Sequence, residues 1–151
     1  MTFPAIALRA AAYSGLRLPT LNELYRPFVV FPVVTEANAA LENERLEGVE
    51  AGVDLTPTDG VVVSVTAFDN RVKNAIANVT LGTNLRQRRN IDAIHARGIE
   101  LSASATFGRF DAIASAAWTD AESRGSGFAA ALDGNRPSQT PRFVGATTLS
   151  Y

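Results

Sequence analysis

Three groups of residues in this 151-residue sequence have types and spacings that bear on chemistry. Glu50 and Glu100 each follow a glycine by two positions, in Gly48-Val49-Glu50 and Gly98-Ile99-Glu100. Two carboxylates can serve as acid and base, but catalysis also needs a further reacting group and a substrate pocket, and neither is written around them. Carboxylates that face an interior and pair with arginines account for them better, because a buried charge needs a partner. Arg86, Arg88 and Arg89 form the main basic cluster. Guanidinium forks bind phosphate and carboxylate oxygens bidentately, so the cluster suits an anionic ligand, while a solvated loop explains it without one. Arg17, Pro19, Glu23, Leu24 and Tyr25 follow the first apolar run, and Pro19 with the Leu18, Leu21, Leu24 spacing predicts a short turn of helix.

Other chemistry is excluded. His95 is the single histidine, and its neighbours Ile94 and Ala96 offer no second ligand for a zinc site. Zero cysteines remove disulfides, thiol catalysis and thiolate-bound metals. The sequence has no Gly-rich phosphate loop, no G-x-S-x-G and no H-E-x-x-H. It therefore predicts no enzyme, no metal and no cofactor. Fourteen basic residues stand against fifteen acidic ones, a net charge of -1, so there is no concentrated basic excess for nucleic acid. Of the basic residues only Lys73 is lysine, an unusual choice for a soluble surface.

The elements that position these residues have a period of two. Leu46, Val49, Ala51, Val53 and Leu55 alternate with Gly48, Glu50, Gly52, Asp54 and Thr56. Val61, Val63, Val65 and Ala67 repeat the pattern, and Ile99, Leu101, Ala103, Ala105 and Phe107 give it most cleanly. Phe110 to Thr119, Pro141 to Tyr151 and an early run from about Pro4 to Tyr13 complete six expected strands. That early run lacks a basic leader region and holds Arg9, so it reads as a strand rather than a signal peptide. No apolar run approaches the roughly 18 to 20 residues of a spanning helix.

Connections alternate in length. Thr56-Pro57-Thr58-Asp59-Gly60 and Gly108-Arg109 read as tight turns. Gly15 to Glu44, Asn70 to Asn90 and Asp120 to Thr140 read as long loops. In an up-and-down meander this puts tight turns at one end and long loops at the other, the layout of a membrane barrel. Phe107, Phe110, Tyr151 and Phe3 fall at the tight-turn end and Trp118 and Phe143 near the other, as aromatic girdles would, whereas Phe68 is out of phase. Periodicity alone fits a soluble β-sandwich binding module equally well. Strand length and polar faces of Gly, Ser and Thr without Lys favour the barrel. The expected fold is thus all-β, an antiparallel up-and-down transmembrane β-barrel segment of about six long strands.

These residues resemble a family. Leu8 to Tyr25, with Arg17, Pro19, Glu23, Leu24 and Tyr25, is similar to the "y-G-F-R-x-P-t-x-x-E-L-y" segment of TonB-dependent outer-membrane receptors. Asn38, Leu41 and Glu44, then Glu50 and Gly52, resemble its "N-x-x-L-x-P-E … y-E-x-G" block, with Asn43 in place of the proline. Phe68 to Ile76, Asn90 with Gly98 and Glu100, and Arg136-Pro137 to Arg142 follow in order. The resemblance implies a Gram-negative outer-membrane location and import of a nutrient such as a ferric siderophore, haem or cobalamin. It also implies outer-membrane lipid, a plug domain and an energising TonB complex as partners. In that setting Arg86, Arg88 and Arg89 lie at the extracellular rim, where an anionic ligand or lipopolysaccharide phosphates are within reach. Six strands cannot close the smallest barrel of about 8. Residues 1–151 are therefore expected to be a partial barrel without plug or terminal strands; a porin-like passive channel fragment is the other membrane reading.

Overall fold

The computed structural model describes residues 5–151, so Phe3 and the start of the first expected strand lie outside the described residues. The elements in chain order are β1 (Ala5–Arg17), α1 (Leu21–Tyr25), β2 (Phe28–Val30), β3 (Val33–Glu36), β4 (Glu44–Thr58), β5 (Val61–Gly82), β6 (Leu85–Phe107), β7 (Phe110–Arg124), a 3-10 helix (Gly127–Leu132) and β8 (Phe143–Ser150). Strands β1, β4, β5, β6, β7 and β8 pair side by side, each antiparallel to the next. These are the six long strands that the alternation predicts. The short β2–β3 hairpin belongs to the loop after α1 and joins the sheet by parallel pairing of Val34 to Glu36 with Leu85 to Gln87.

Opposed residues of an antiparallel pair share a face, so the register reads as rows across the sheet. One face carries Leu8, Val53, Val65, Leu101, Ala116 and Gly145 in one row, and Ala10, Ala51, Ala67, Ile99, Trp118 and Phe143 in the next. No element covers this face: Leu8 is 84% and Phe143 67% exposed. A sandwich would bury these side chains, each burial worth about 1.5–3 kcal/mol, and a soluble chain has no reason to forgo that across a whole sheet. At the tight-turn end Phe107, Phe110 and Tyr151 share the same face, with the last two rings 4.9 Å apart. Trp118 and Phe143 stand opposite each other at the far margin. Beyond them the same face turns abruptly charged, with Asp69, Arg97 and Asp120 in one row and Glu47, Arg71, His95 and Glu122 in the next. Apolar band, aromatic margins and charged rows follow one another as lipid core, headgroup zone and water do.

The segment Asn70 to Asn90 differs from expectation. It is no loop; β5 and β6 continue as one hairpin to a two-residue turn at Thr83-Asn84, where Asn84 takes a φ of 58°. The reason is physical: once past the apolar band both faces of a strand meet water or loops, so the alternation disappears while backbone pairing continues. A small core of Ala75, Val79, Ile91 and Ala129 forms there, with Leu132 packed against it. The other two long connections, before β4 and before β8, are present.

Candidate functional site

The second face of the sheet is polar and holds Glu50 and Glu100. Ala11, Glu50, Phe68, Gly98 and Thr119 form one row, and Arg9, Gly52, Thr66, Glu100 and Ala117 the next. Arg9, Glu50, Thr66, Glu100 and Ala117, together with Ser64 and Ser102, line a shallow cavity of about 390 Å3. Arg9 pairs with Asp54 at 3.3 Å and donates to the Thr66 hydroxyl at 2.5 Å. Glu50 and Glu100 have no ion pair with any described residue. They are brought to the same face one row apart and left open, without the further groups that acid–base catalysis requires.

Two family-motif glycines are explained by this face. A Cβ on Gly98 would stand 2.3 Å from the Trp118 carbonyl oxygen and 2.7 Å from the Phe68 ring, and one on Gly52 would stand 2.9 Å from both the Arg9 guanidinium carbon and the Val65 carbonyl oxygen. Phe68, out of phase with its apolar neighbours, therefore lies against a glycine of the neighbouring strand, which the next strand's backbone also approaches. Gly48 plays the same part for Tyr13, whose hydroxyl donates to Asn70 at 2.8 Å. Bare glycine rows let large side chains lie against the wall instead of filling the interior.

The remaining motif positions converge on one polar node at the foot of the first long loop. Thr20 caps α1, its hydroxyl accepting from the Glu23 N–H at 3.2 Å while the Glu23 carboxylate accepts from the Thr20 N–H at 2.7 Å, a capping box. Pro19 and the half-buried Leu24 set the turn that sequence spacing predicts, while Tyr25 is exposed. Arg17 bridges Glu23, at 3.1 Å, and Glu44. Partial burial pushes the Glu23 carboxyl up, but the Arg17 guanidinium and the Thr20 N–H and hydroxyl outweigh it and hold it below its ordinary value. Glu44 also accepts from the Ile76 N–H at 2.6 Å. Asn38 donates to the Arg88 carbonyl at 3.0 Å and accepts from the Ala40 N–H at 3.0 Å, ordering the turn that leads to the half-buried Leu41. Asn90 accepts from the Glu42 N–H at 2.8 Å and donates to the carbonyls of Glu42 and Asn74. The motif residues fasten a loop to the β5–β6 hairpin.

The arginine cluster lies on β6 and is no solvated loop. Neighbouring residues of a strand face opposite ways, and Arg88 and Arg89 each hold a different loop. Arg88 donates to the carbonyls of Asn22 and Arg26 at 2.6 and 2.8 Å and stacks over Phe28 at 5.0 Å. Arg89 stacks over Phe128 at 4.6 Å and donates to Gln87 at 2.8 Å. Arg86 lines a separate cavity beside the loop before β8. Arg136, which sequence motifs flagged without a role, clamps that loop by donating to the Thr119 and Thr140 carbonyls at 3.1 and 3.3 Å and pairing with Asp120 at 3.5 Å. Arg9 was also missed; the only sequence signal was its phase, which sets it apart from the apolar Leu8 and Ala10. Among the described residues no group of three or more His, Cys, Asp or Glu could hold a metal ion.

An exposed apolar band with a polar reverse face, and loops fastened at one end, defines a piece of β-barrel wall. The chain belongs to the TonB dependent receptor-like, beta-barrel family, whose model matches residues 2–151. Solved structures agree in fold. The siderophore receptor PirA from Acinetobacter baumannii matches with a TM-score of 0.65 and 18% identity over 94% of this chain and 24% of that one. The ferric enterobactin receptor PfeA in complex with BCV-L6 matches with a TM-score of 0.65 and 19% identity over 95% of this chain and 23% of that one. The copper transporter OprC matches with a TM-score of 0.58 and 20% identity over 78% of this chain and 18% of that one. The chain thus spans about a quarter or less of the length of these proteins. A search of the curated proteins finds no match.

Proposed function

We propose that this chain forms part of the wall of a TonB-dependent receptor in the outer membrane of a Gram-negative bacterium. The receptor imports a nutrient such as a ferric siderophore, haem or cobalamin, and the chain performs no catalytic step. The observation that carries this reading is the register itself. Apolar rows bounded by Trp118 and Phe143 on one side and by Phe107, Phe110 and Tyr151 on the other back onto a polar face with two unpaired carboxylates. Lipid covers the first face, and Glu50 and Glu100 receive arginines of a plug domain on the second, since carboxylates enclosed in a lumen need cations. Further strands extend the sheet from β1 and β8, whose outer edges are open among the described residues. Residues 1–151 are in this reading a partial barrel, with plug and terminal strands supplied by a longer protein.

The test is uptake by cells producing the receptor that carries this chain, with labelled ferric catecholate, haem and cobalamin as probes. The expected result is accumulation of one probe that stops when a protonophore collapses the energising gradient. Entry of small solutes unaffected by the protonophore would establish a passive channel instead. Recovery of the protein from the soluble fraction, folded and monomeric without detergent, would sink both membrane readings.

A further inference from the structure

Arg9 is the one cation lining the cavity that holds Glu50 and Glu100. It stands on β1 opposite Gly52 of β4, and Glu50 and Asp54 lie two positions to either side of that glycine. Diagonal neighbours of this kind on one face are within reach of a long side chain, so both carboxylates are open to the same guanidinium. Gly52 puts no side chain between them, and the guanidinium lies across the bare strand and donates to the Thr66 hydroxyl of β5 at 2.5 Å. Thr66 is only 8% exposed and sits between Gly52 on β4 and Glu100 on β6, so it is a fixed acceptor. Arg9 therefore stands amid three carboxylates and is paired with one, Asp54, at 3.3 Å. That pair is open to solvent, with side chains 42% and 34% exposed, and pairs so exposed hold weakly.

We infer that Arg9 is an exchangeable counter-ion, which rests on Asp54 while cations of the plug occupy Glu50 and Glu100 and turns to Glu50 when the plug moves away. The inference rests on the proposed pairing of those two carboxylates with the plug. Carboxylates enclosed in a lumen and stripped of their cations resist that separation, because a charge left without its partner is unfavourable. Arg9 eases it by changing partner through rotation of its own side chain, with Thr66 as the acceptor common to both positions and no movement of the strand. The other residues lining the cavity carry no positive charge and cannot take this part. Arg9 is thus a positioning residue: it meets no transported ligand and sets how firmly the plug is held.

The test uses the detergent-folded, full-length receptor and reads the urea concentration at which the plug loses protection from added protease, with gel mobility showing that the barrel stays folded. Asp54→Asn frees Arg9 to compete for Glu50, so the plug should be released at a urea concentration lower by about 0.5 M. Arg9→Gln removes the competitor and should raise that concentration by a similar amount, whereas Arg9→Lys, which keeps the charge, should stay near wild type. An ordinary structural ion pair would give shifts of the same sign, since either change breaks the same contact. Shifts of the same sign, or no shift in either variant, overturn the exchange. The double variant Glu50→Gln, Glu100→Gln separates the two readings. An unchanged plug there overturns the plug pairing and the exchange with it; a loosened plug there, with like-signed shifts for Arg9 and Asp54, overturns the exchange alone.

Discussion

At the scale of single residues, the wall is shaped by what is missing from it. Gly98 leaves room for the Trp118 carbonyl and the Phe68 ring, so Gly98→Val should displace both and cost about 1–3 kcal/mol of stability, read as an earlier heat-induced shift in gel mobility. Phe68→Ala in the same chain should recover the ring's part of that loss, and no recovery would show that the close approach of the Trp118 carbonyl accounts for it instead. Glu23 gives a pH-dependent case. Its folded carboxyl ionises below the ordinary 4.5, so the unfolded state binds the proton more readily. The attachment it makes to Arg17 is therefore complete above about pH 4.5 and is lost as the pH falls through the lowered value. Amide exchange in residues 18–43 should rise across that acid window, and Glu23→Gln should show raised exchange with no step. The sequence revealed Glu23 and Arg17 only as members of a motif. Their geometry was hidden because a node joining residues as distant as Arg17, Glu44, Ile76 and Asn90 leaves no local pattern.

At the scale of elements, the alternating strands were legible because lipid and lumen impose opposite demands on neighbouring side chains. Where lipid ends that signal ends too, and the outer halves of β5 and β6 read as loop. The helical turn α1 was legible from Pro19 and the leucine spacing, while β2 and β3 were not, since the Phe28 to Val34 run is apolar without alternation. Arg88 and Arg89 act as separate fasteners on this hairpin. Arg88→Ala should expose the α1 to β3 segment to added protease and leave the loop before β8 protected; Arg89→Ala should do the reverse. Cleavage of both loops in either variant would mean that the hairpin end melts as one unit.

At the scale of the whole molecule, the decisive property is that the sheet has two solvents. Leu101→Arg, in the middle of the apolar band, should destabilise the protein by about 2–4 kcal/mol when it is folded into bilayers. Ser102→Arg, one residue along on the polar face, should cost far less, and equal costs would place both faces in the same medium. Among the described residues, carboxylates without partners, open strand edges and an uncovered apolar face are met, in the proposed setting, by plug, neighbouring strands and lipid. The β5–β6 hairpin adds a practical corollary. Its turn at Thr83-Asn84 stands fifteen residues of β5 beyond the Ala67 row, about 40 Å from the apolar band if the strands keep a barrel-like tilt. In the proposed outer-membrane setting an antibody epitope spliced into that turn would be displayed on living cells, giving a handle for counting and sorting those that make the protein.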